Sequence, residues 1–235
     1  MNPPLGRLLV VGDIHGCRSE FEELLERFSP QPIDRIVLLG DLINRGPDSS
    51  GVVRIARKLG AASIIGNHEW RILKARAYAA PSMLKSFDRP TVASLNAADW
   101  TYLSQMALTL YIPRWNLLCV HGGFLPNHPW PTQGPETVTH IQVVDDQGRA
   151  ARRSDAPDAP SWAHFWKGPP FVLYGHTPRP QILYSPLAWG IDTGCVYGGH
   201  LTAVIYPSRE IIQVPARRAY LTPTPNFHKQ SDKAL

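Results

Sequence analysis

The chain has 235 residues, of which 43% are hydrophobic, and a formal net charge of +5. This composition is ordinary for a soluble globular protein, and the length predicts one domain. No apolar run approaches the 18 residues of a membrane-spanning helix. The first residues lack the features of a signal peptide, so a cytoplasmic location is predicted.

The modest basic excess is too dispersed to indicate nucleic-acid binding, and we find no nucleic-acid-binding motif with interleaved aromatic residues. It is sufficient to attract a phosphate-rich substrate. The three cysteines lie far apart in the sequence and form neither a disulfide framework nor a zinc knuckle. Cys119 lies in an apolar run and is predicted to be a small core residue.

Five short apolar runs, each bounded by glycine or polar residues, predict strands that are buried on both faces. They occupy residues 8–11, 36–39, 63–65, 117–120 and 171–174. Apolar residues at helical spacing predict helices over 18–28 and 49–59, between the first three strands. The alternation predicts an α/β fold, in which sites form beyond the carboxyl ends of the strands.

Two segments are predicted to lie apart from this core. Residues 125–160 read as a long surface insertion that carries Arg149, Arg152 and Arg153. Because the insertion leaves just after one strand-end loop and returns before another, we expect it to border any site there. Residues 222–235 have little to bury and are predicted to be a disordered tail, which leaves 1–221 as the domain.

Each predicted strand is followed by a short polar loop. The five loops are Gly12-Asp13-Ile14-His15-Gly16, Gly40-Asp41, Gly66-Asn67-His68-Glu69, His121-Gly122-Gly123 and Gly175-His176-Thr177-Pro178. A single Gly-Asp or Gly-Asn pair is equally explained as a turn. A series of oxygen and imidazole ligands at successive strand ends instead indicates a pair of divalent transition metals. The sequence therefore predicts a two-metal hydrolase that acts on phosphate.

The order of these motifs resembles that of the calcineurin-like metallophosphoesterases, and within them the phosphoprotein phosphatase branch. The resemblance covers about residues 8–214. The segments 45–49 and 190–203 resemble relatives of symmetrical diadenosine tetraphosphatase, and the second segment also resembles phage-type and bacterial Ser/Thr phosphatases. The resemblance implies an α/β fold with a central β-sandwich flanked by helices, and a site at the carboxyl ends of the strands.

The resemblance also implies a ligand set for two metal ions. Asp13 and His15 would bind the first ion, Asp41 would bridge, and the second ion would be held by Asn67, His121 and His176. Mn fits this set well, with Fe, Zn, Co and Ni as alternatives. His68 would protonate the leaving oxygen, Arg45 would clamp phosphate oxygens, and Glu69 would orient its neighbours.

Two positions depart from the protein-phosphatase pattern. Asn44 stands where that branch has an aspartate supporting the catalytic histidine, and we expect it to accept a hydrogen bond from His68 without supplying charge. The second phosphate-binding arginine is absent, with Lys167 as the only nearby cation. Trp162 and Trp166 lie in the same region, and core packing is predicted for them over stacking on a nucleobase.

The resemblance implies in-line attack on phosphorus by a hydroxide that bridges the metals. The departures favour phosphoanhydrides of nucleotides, with dinucleoside polyphosphates as the type substrate. The alternative is a phage- or bacterial-type Ser/Thr protein phosphatase, so the partner is a phosphate-containing small molecule or a phosphoprotein. An inactive relative that serves as a binding module is disfavoured by the complete ligand set. The sequence does not predict the oligomeric state.

Overall fold

The computed structural model describes residues 6–222, which form two five-stranded sheets and one two-stranded sheet. The strands are β1 (Leu8–Val11), β2 (Arg35–Leu38), β3 (Ala62–Ser63), β4 (Thr109–Ile112), β5 (Leu117–Val120), β6 (Val143–Val144), β7 (Ala150–Ala151), β8 (Phe171–Tyr174), β9 (Leu183–Ser185), β10 (Ala188–Gly190), β11 (His200–Tyr206) and β12 (Glu210–Pro215). The α-helices are α1 (Arg18–Phe28), α2 (Ser49–Lys58), α3 (Asn67–Ala77), α4 (Asp88–Ser94), α5 (Ala97–Ser104) and α6 (Pro135–His140).

Each large sheet contains three adjacent parallel strands. The first sheet has the order β12-β11-β1-β2-β3, and β1, β2 and β3 run parallel. The second has the order β4-β5-β8-β10-β9, and β5, β8 and β10 run parallel. Parallel strands end at the same edge of a sheet, so the loops that follow them are brought together.

The two large sheets pack face to face, and helices cover the outside of the first. Leu8 and Val10 point into the core between the sheets, whereas Leu9 and Val11 point to the core beneath the helices. Alternate residues of β1 therefore enter different cores. This explains why the strand is a continuous apolar run without polar alternation.

The predicted α/β sandwich flanked by helices is confirmed. The bounds of β1, β5, β8 and α1 agree with the sequence prediction, β2 lies one residue earlier, and α2 ends one residue earlier. The third strand was predicted at 63–65, whereas β3 starts one residue earlier and ends at Ser63. Ile64 forms a bridge with Ala107 and α3 begins at Asn67, which leaves no room for the strand to continue.

The predicted insertion, residues 125–160, contains secondary structure of its own. Helix α6 and the β6–β7 pair lie within it, and Val138, Ile141 and Val144 pack on the outer face of the second sheet. Of the predicted tail, residues 223–235 lie outside the described residues. No helix within 6–222 combines the length and the apolar character that crossing a membrane requires.

The core between the sheets predicts a stability difference. Leu173 is fully buried there, so Leu173→Ala should reduce the free energy of unfolding by about 2–5 kcal/mol through lost burial and a residual cavity. Urea denaturation measures the difference. Leu59→Ala is the matched control, because Leu59 is 39% exposed and should change stability by less than about 0.5 kcal/mol. Equal losses in the two variants would contradict the assignment of this core.

Candidate active site

The predicted strand-end loops meet at one edge of the sandwich. Three of the predicted ligands hold a left-handed backbone, with φ of 49° at His15, 48° at Asp41 and 67° at His176. Residues other than glycine rarely adopt this backbone conformation, and those that do concentrate at functional sites. The loops are therefore held in shapes that serve the placement of these side chains.

Asp41 lies at the centre of the cluster and is only 2% exposed. Its Oδ2 is 3.5 Å from His15 Nε2 and 3.9 Å from His68 Nε2. Its Oδ1 is 3.5 Å from His121 Nε2 on the other side. One carboxylate thus faces imidazoles from both sheets, which is the position expected of a ligand shared by two cations.

Two groups of possible metal ligands share Asp41. Within each group the ligand atoms lie within 4.8 Å of one another, and the groups are His15, Asp41 and His68, and Asp41, His121 and His176. The first group contains His68, which the sequence predicts as the catalytic acid. Asp13, the predicted ligand, is not in this group. The donor set of carboxylate and imidazole suits divalent transition metals.

The other two predicted ligands lie beside these groups. Both oxygens of Asp13 accept from the backbone N–H of His176, at 3.0 and 3.2 Å. The Oδ1 atom of Asn67 is 3.1 Å from His121 Nε2. The fold therefore brings all six predicted metal ligands into one cluster, in which Asn67 and His176 are half-buried and the other four are buried.

Backbone carbonyls fix the orientation of two imidazoles. His15 Nδ1 is 3.0 Å from the carbonyl oxygen of Ile43, and His121 Nδ1 is 2.8 Å from that of Leu39. A carbonyl can only accept, so each Nδ1 carries a proton and the neutral ring keeps its lone pair on Nε2. Both Nε2 atoms face Asp41, which is the arrangement that metal-binding histidines require.

The cluster concentrates negative charge out of water. Burial and the nearby Asp192 raise the pKa of Asp13 well above its ordinary value. Burial also raises the pKa of Asp192, to about 6. Although burial opposes it, Asp41 and Asp13 raise the pKa of His121 to about 10. Buried carboxylates this close together are stabilised by cations, and the residues present therefore fit a metal pair.

Glu69 holds the loop that carries Asp41. Its carboxylate accepts from the backbone N–H groups of Asp41, Leu42, Ile43 and Gly66 at 2.9, 2.9, 3.3 and 3.1 Å. The carboxylate is fully buried, and these bonds join the loop after β2 to the start of α3. The geometry matches the orienting role predicted for Glu69.

Asn44 contacts His68, but its hydrogen-bonding role differs from the predicted one. Its Nδ2 atom is 2.9 Å from His68 Nδ1 and 2.8 Å from Oδ1 of Asp88. The amide nitrogen must face Asp88 because a carboxylate accepts, and Asp88 pairs with Arg71 through two bonds of 2.7 and 2.8 Å. Asn44 therefore donates to His68, and the expectation that it accepts was wrong.

This contact sets the tautomer of His68. Because Nδ1 accepts from Asn44, the ring proton lies on Nε2, the atom that faces Asp41. Burial lowers the pKa of His68 well below its ordinary value, and His15, Arg45 and Arg71 lower it further against the opposing effect of Asp41. The neutral imidazole is therefore the resting form of His68.

A cleft of about 370 Å³ opens beside the cluster. Five basic side chains line it, together with the aromatic rings of Phe87 and Tyr197; the basic residues are Arg45, Arg71, Lys85, Arg152 and Arg153. The last two come from the 125–160 insertion, so the prediction that the insertion borders the site is confirmed. Arg149 lies elsewhere, 67% exposed and paired with Asp145 at 2.9 Å.

The sequence prediction missed several site residues. Asp192 follows the buried strand β10, so the same strand-end pattern would have identified it. Asp88, Arg71 and Lys85 come from helices or turns without such a pattern, and only the fold brings them to the cleft. Trp162 is fully buried and donates to the Gly122 carbonyl at 2.8 Å, which confirms the core role predicted for it.

The chain belongs to the calcineurin-like phosphoesterase family, whose sequence model matches residues 6–208. It is a hydrolase of the metallophosphoesterase class. It is 30% identical to the asymmetrical bis(5'-nucleosyl)-tetraphosphatase PrpE of Halalkalibacterium halodurans, over 89% of this chain and 94% of that protein. It is 29% identical to the symmetrical bis(5'-nucleosyl)-tetraphosphatase of Janthinobacterium sp., over 87% of this chain and 94% of that protein.

A solved structure is also similar over most of its length. The crystal structure of a "putative diadenosine tetraphosphatase" shares 38% identity and superposes with a TM-score of 0.80, over 92% of this chain and 96% of that chain. The fold described above is therefore that of the family.

The Asn44 contacts predict a charge conflict. Asn44→Asp would place a second carboxylate against Asp88, 2.8 Å from the present amide nitrogen, and should destabilise the fold by about 3–5 kcal/mol. The double variant Asn44→Asp with Asp88→Asn restores one donor and one acceptor across the same contact and should recover most of the loss. Urea unfolding of metal-free protein measures both, and a stable Asn44→Asp single variant would contradict the assigned hydrogen bonds.

Proposed function

We propose that this hydrolase cleaves phosphoanhydride bonds in nucleotide polyphosphates, with dinucleoside polyphosphates as the type substrate. The observation that carries the proposal is the row of basic side chains beside the Asp41 cluster, which a phosphomonoester is too short to use. The names of the two tetraphosphatase relatives support this choice over a Ser/Thr protein phosphatase. A cytoplasmic location stays a prediction from the sequence.

The cleft favours a substrate with several phosphates. Burial lowers the pKa of the Lys85 ammonium, and the neighbouring cations Arg71 and Arg152 lower it further. Like charges held this close repel one another, and a polyphosphate chain relieves the repulsion by lying between them. Phe87 and Tyr197 offer apolar faces for the nucleoside part of the same molecule.

We propose that two Mn²⁺ ions are the native cofactors. Asp13 and His15 would hold one ion, Asn67, His121 and His176 the other, and Asp41 would be shared. When bound, such a pair supplies an activated water and neutralises phosphoryl charge. With Nδ1 of His15 and His121 held by backbone carbonyls, Nε2 is the atom of each ring that would bind an ion, which would replace the Arg45 contact at His15 and the second ring proton of His121.

Arg45 and His68 act on the substrate in this proposal. The guanidinium of Arg45 donates to His15 Nε2 at 2.8 Å and lines the cleft, so it can donate to phosphoryl oxygens as their charge develops. His68 presents Nε2–H toward the same place. A neutral imidazole is a weak acid but a good hydrogen-bond donor, which suits a phosphate leaving group more than an alkoxide of serine.

The proposal predicts dependence on metal and on Asp41. A chelator should abolish hydrolysis of diadenosine tetraphosphate, and Mn²⁺ should restore it. Asp41→Asn should lower kcat by about 10²-fold or more, the scale on which loss of one preorganised electrostatic contact acts. Asp145→Asn is the matched control, because this carboxylate lies outside the cleft and pairs with Arg149. Near-normal turnover by Asp41→Asn would rule out the shared ligand.

The proposal also predicts which cations select the substrate. Lys85→Ala with Arg152→Ala should raise KM for diadenosine tetraphosphate about 5- to 30-fold, because each partly exposed cation contributes about 0.5–1 kcal/mol. The kinetics of p-nitrophenyl phosphate should change little, since one phosphate stays with Arg45. Steady-state kinetics on both substrates measures the difference.

The control for this prediction is Arg149→Ala. Arg149 belongs to the same insertion but lies outside the cleft, so its removal should leave both KM values nearly unchanged. A phosphopeptide assayed beside the nucleotides decides the alternative function. If the phosphopeptide has the highest kcat/KM, the protein-phosphatase function replaces the one proposed here.

A further inference from the structure

A second group of metal-ligating side chains lies outside the active site. Cys17, Glu20 and Cys195 offer two sulfur atoms and a carboxylate oxygen within 4.8 Å of one another, and all three residues are buried. Cys17 precedes α1 and Glu20 lies in its first turn, so spacing by three residues places both on one face of the helix. Cys195 comes from the loop that follows β10 and Asp192.

Glu20 is incompletely satisfied in this environment. Its Oε1 accepts from the backbone N–H of Arg217 at 3.0 Å and from the Tyr220 hydroxyl at 2.8 Å. Its Oε2 is buried and has no hydrogen-bond partner among residues 6–222. The Arg217 guanidinium pairs with Glu23 at 3.7 Å, and the described part of the chain shows no ion pair to Glu20. A fully buried carboxylate in this condition is costly unless a cation completes it.

We propose that Cys17, Glu20 and Cys195 form a Zn²⁺ site that is separate from the catalytic cluster. Two sulfur ligands with one carboxylate favour zinc over the harder ions, and Zn–S bonds of about 2.3 Å are compatible with ligand atoms this close. Binding displaces the two thiol protons to solvent and brings a cation to the free oxygen of Glu20. Both groups of ligands around Asp41 lack sulfur, so the two kinds of site differ in chemistry.

The site would tie three parts of the chain together. It joins the start of α1, the loop that carries Cys195 and, through Glu20, the segment with Arg217 and Tyr220. Tyr220 is half-buried at the surface, so local opening of its segment gives an ion access to the site. The proposed role is structural, because Cys17 stands two residues after His15 and the ion would anchor the base of that loop.

Cobalt distinguishes this site from the catalytic one. Reduced, metal-free, full-length protein is titrated with Co²⁺, and absorbance is recorded in the near ultraviolet, where thiolate-to-cobalt charge transfer appears. We expect a band whose final intensity corresponds to one thiolate-bound Co²⁺ per chain and that Zn²⁺ abolishes. The same band should persist in Asp41→Asn, because that variant removes only a catalytic ligand.

Substitutions at the site provide the second measurement. Cys17→Ser and Cys195→Ser should each lose the band, and Glu20→Gln should weaken the Co²⁺ affinity measured from it about tenfold or more. Cys119→Ala is the matched control and should keep the band, since Cys119 is buried in β5 with the core between the sheets around it.

If a variant fails to fold, the Co²⁺ titration of the wild-type protein still tests the proposal. Absence of the thiolate band while Co²⁺ binds at the catalytic cluster would overturn the site. A band that is lost in Asp41→Asn would do the same, as would a disulfide between Cys17 and Cys195 found by mass spectrometry of protein kept in reductant.

Discussion

The buried carboxylate of Asp41 is the contact on which the rest of the active site depends. Its oxygens face imidazoles from three different loops, and its own backbone N–H donates to Glu69 at 2.9 Å. Glu69 in turn holds the start of α3, where Asn67 and His68 begin the helix. A displacement of this loop would therefore move ligands that come from both sheets.

The need to place such charges out of water explains other features of the molecule. The loops bend through left-handed backbone at His15, Asp41 and His176, a cost that the surrounding hydrogen bonds offset. Burial and Asp192 raise the pKa of Asp13, burial raises the pKa of Asp192, and a proton on His121 offsets part of the negative charge in the metal-free protein. Divalent cations would take over this compensation, so metal affinity and loop stability are coupled.

The neighbourhood of His68 links structure to substrate choice. Asn44 and Arg71 lie between His68 and Asp88, so the carboxylate reaches the imidazole through groups that donate to both. The Asn44 contact leaves the ring proton of His68 on Nε2, which faces Asp41, and burial together with the nearby cations keeps the imidazole neutral. The basic side chains that surround the same cleft belong to the insertion, to α3, to the segment between α3 and α4, and to the loop of Arg45. In the proposed function, the surroundings of His68 therefore determine which leaving group is favoured, and the basic side chains of the cleft determine the binding of polyphosphate.

The sequence by itself indicated five of the six parallel strands, because buried strands need continuous apolar runs. It also placed the six candidate ligands in the loops after those strands, and the family resemblance gave them their roles. It also indicated that Trp162 packs and that residues 125–160 border the site. Only the tertiary structure decided that Asn44 donates to His68, that Asp88 stands behind it, and that Arg152 enters the cleft while Arg149 does not. These outcomes depend on contacts between residues far apart in the chain, and local spacing carries no information about which atoms will meet.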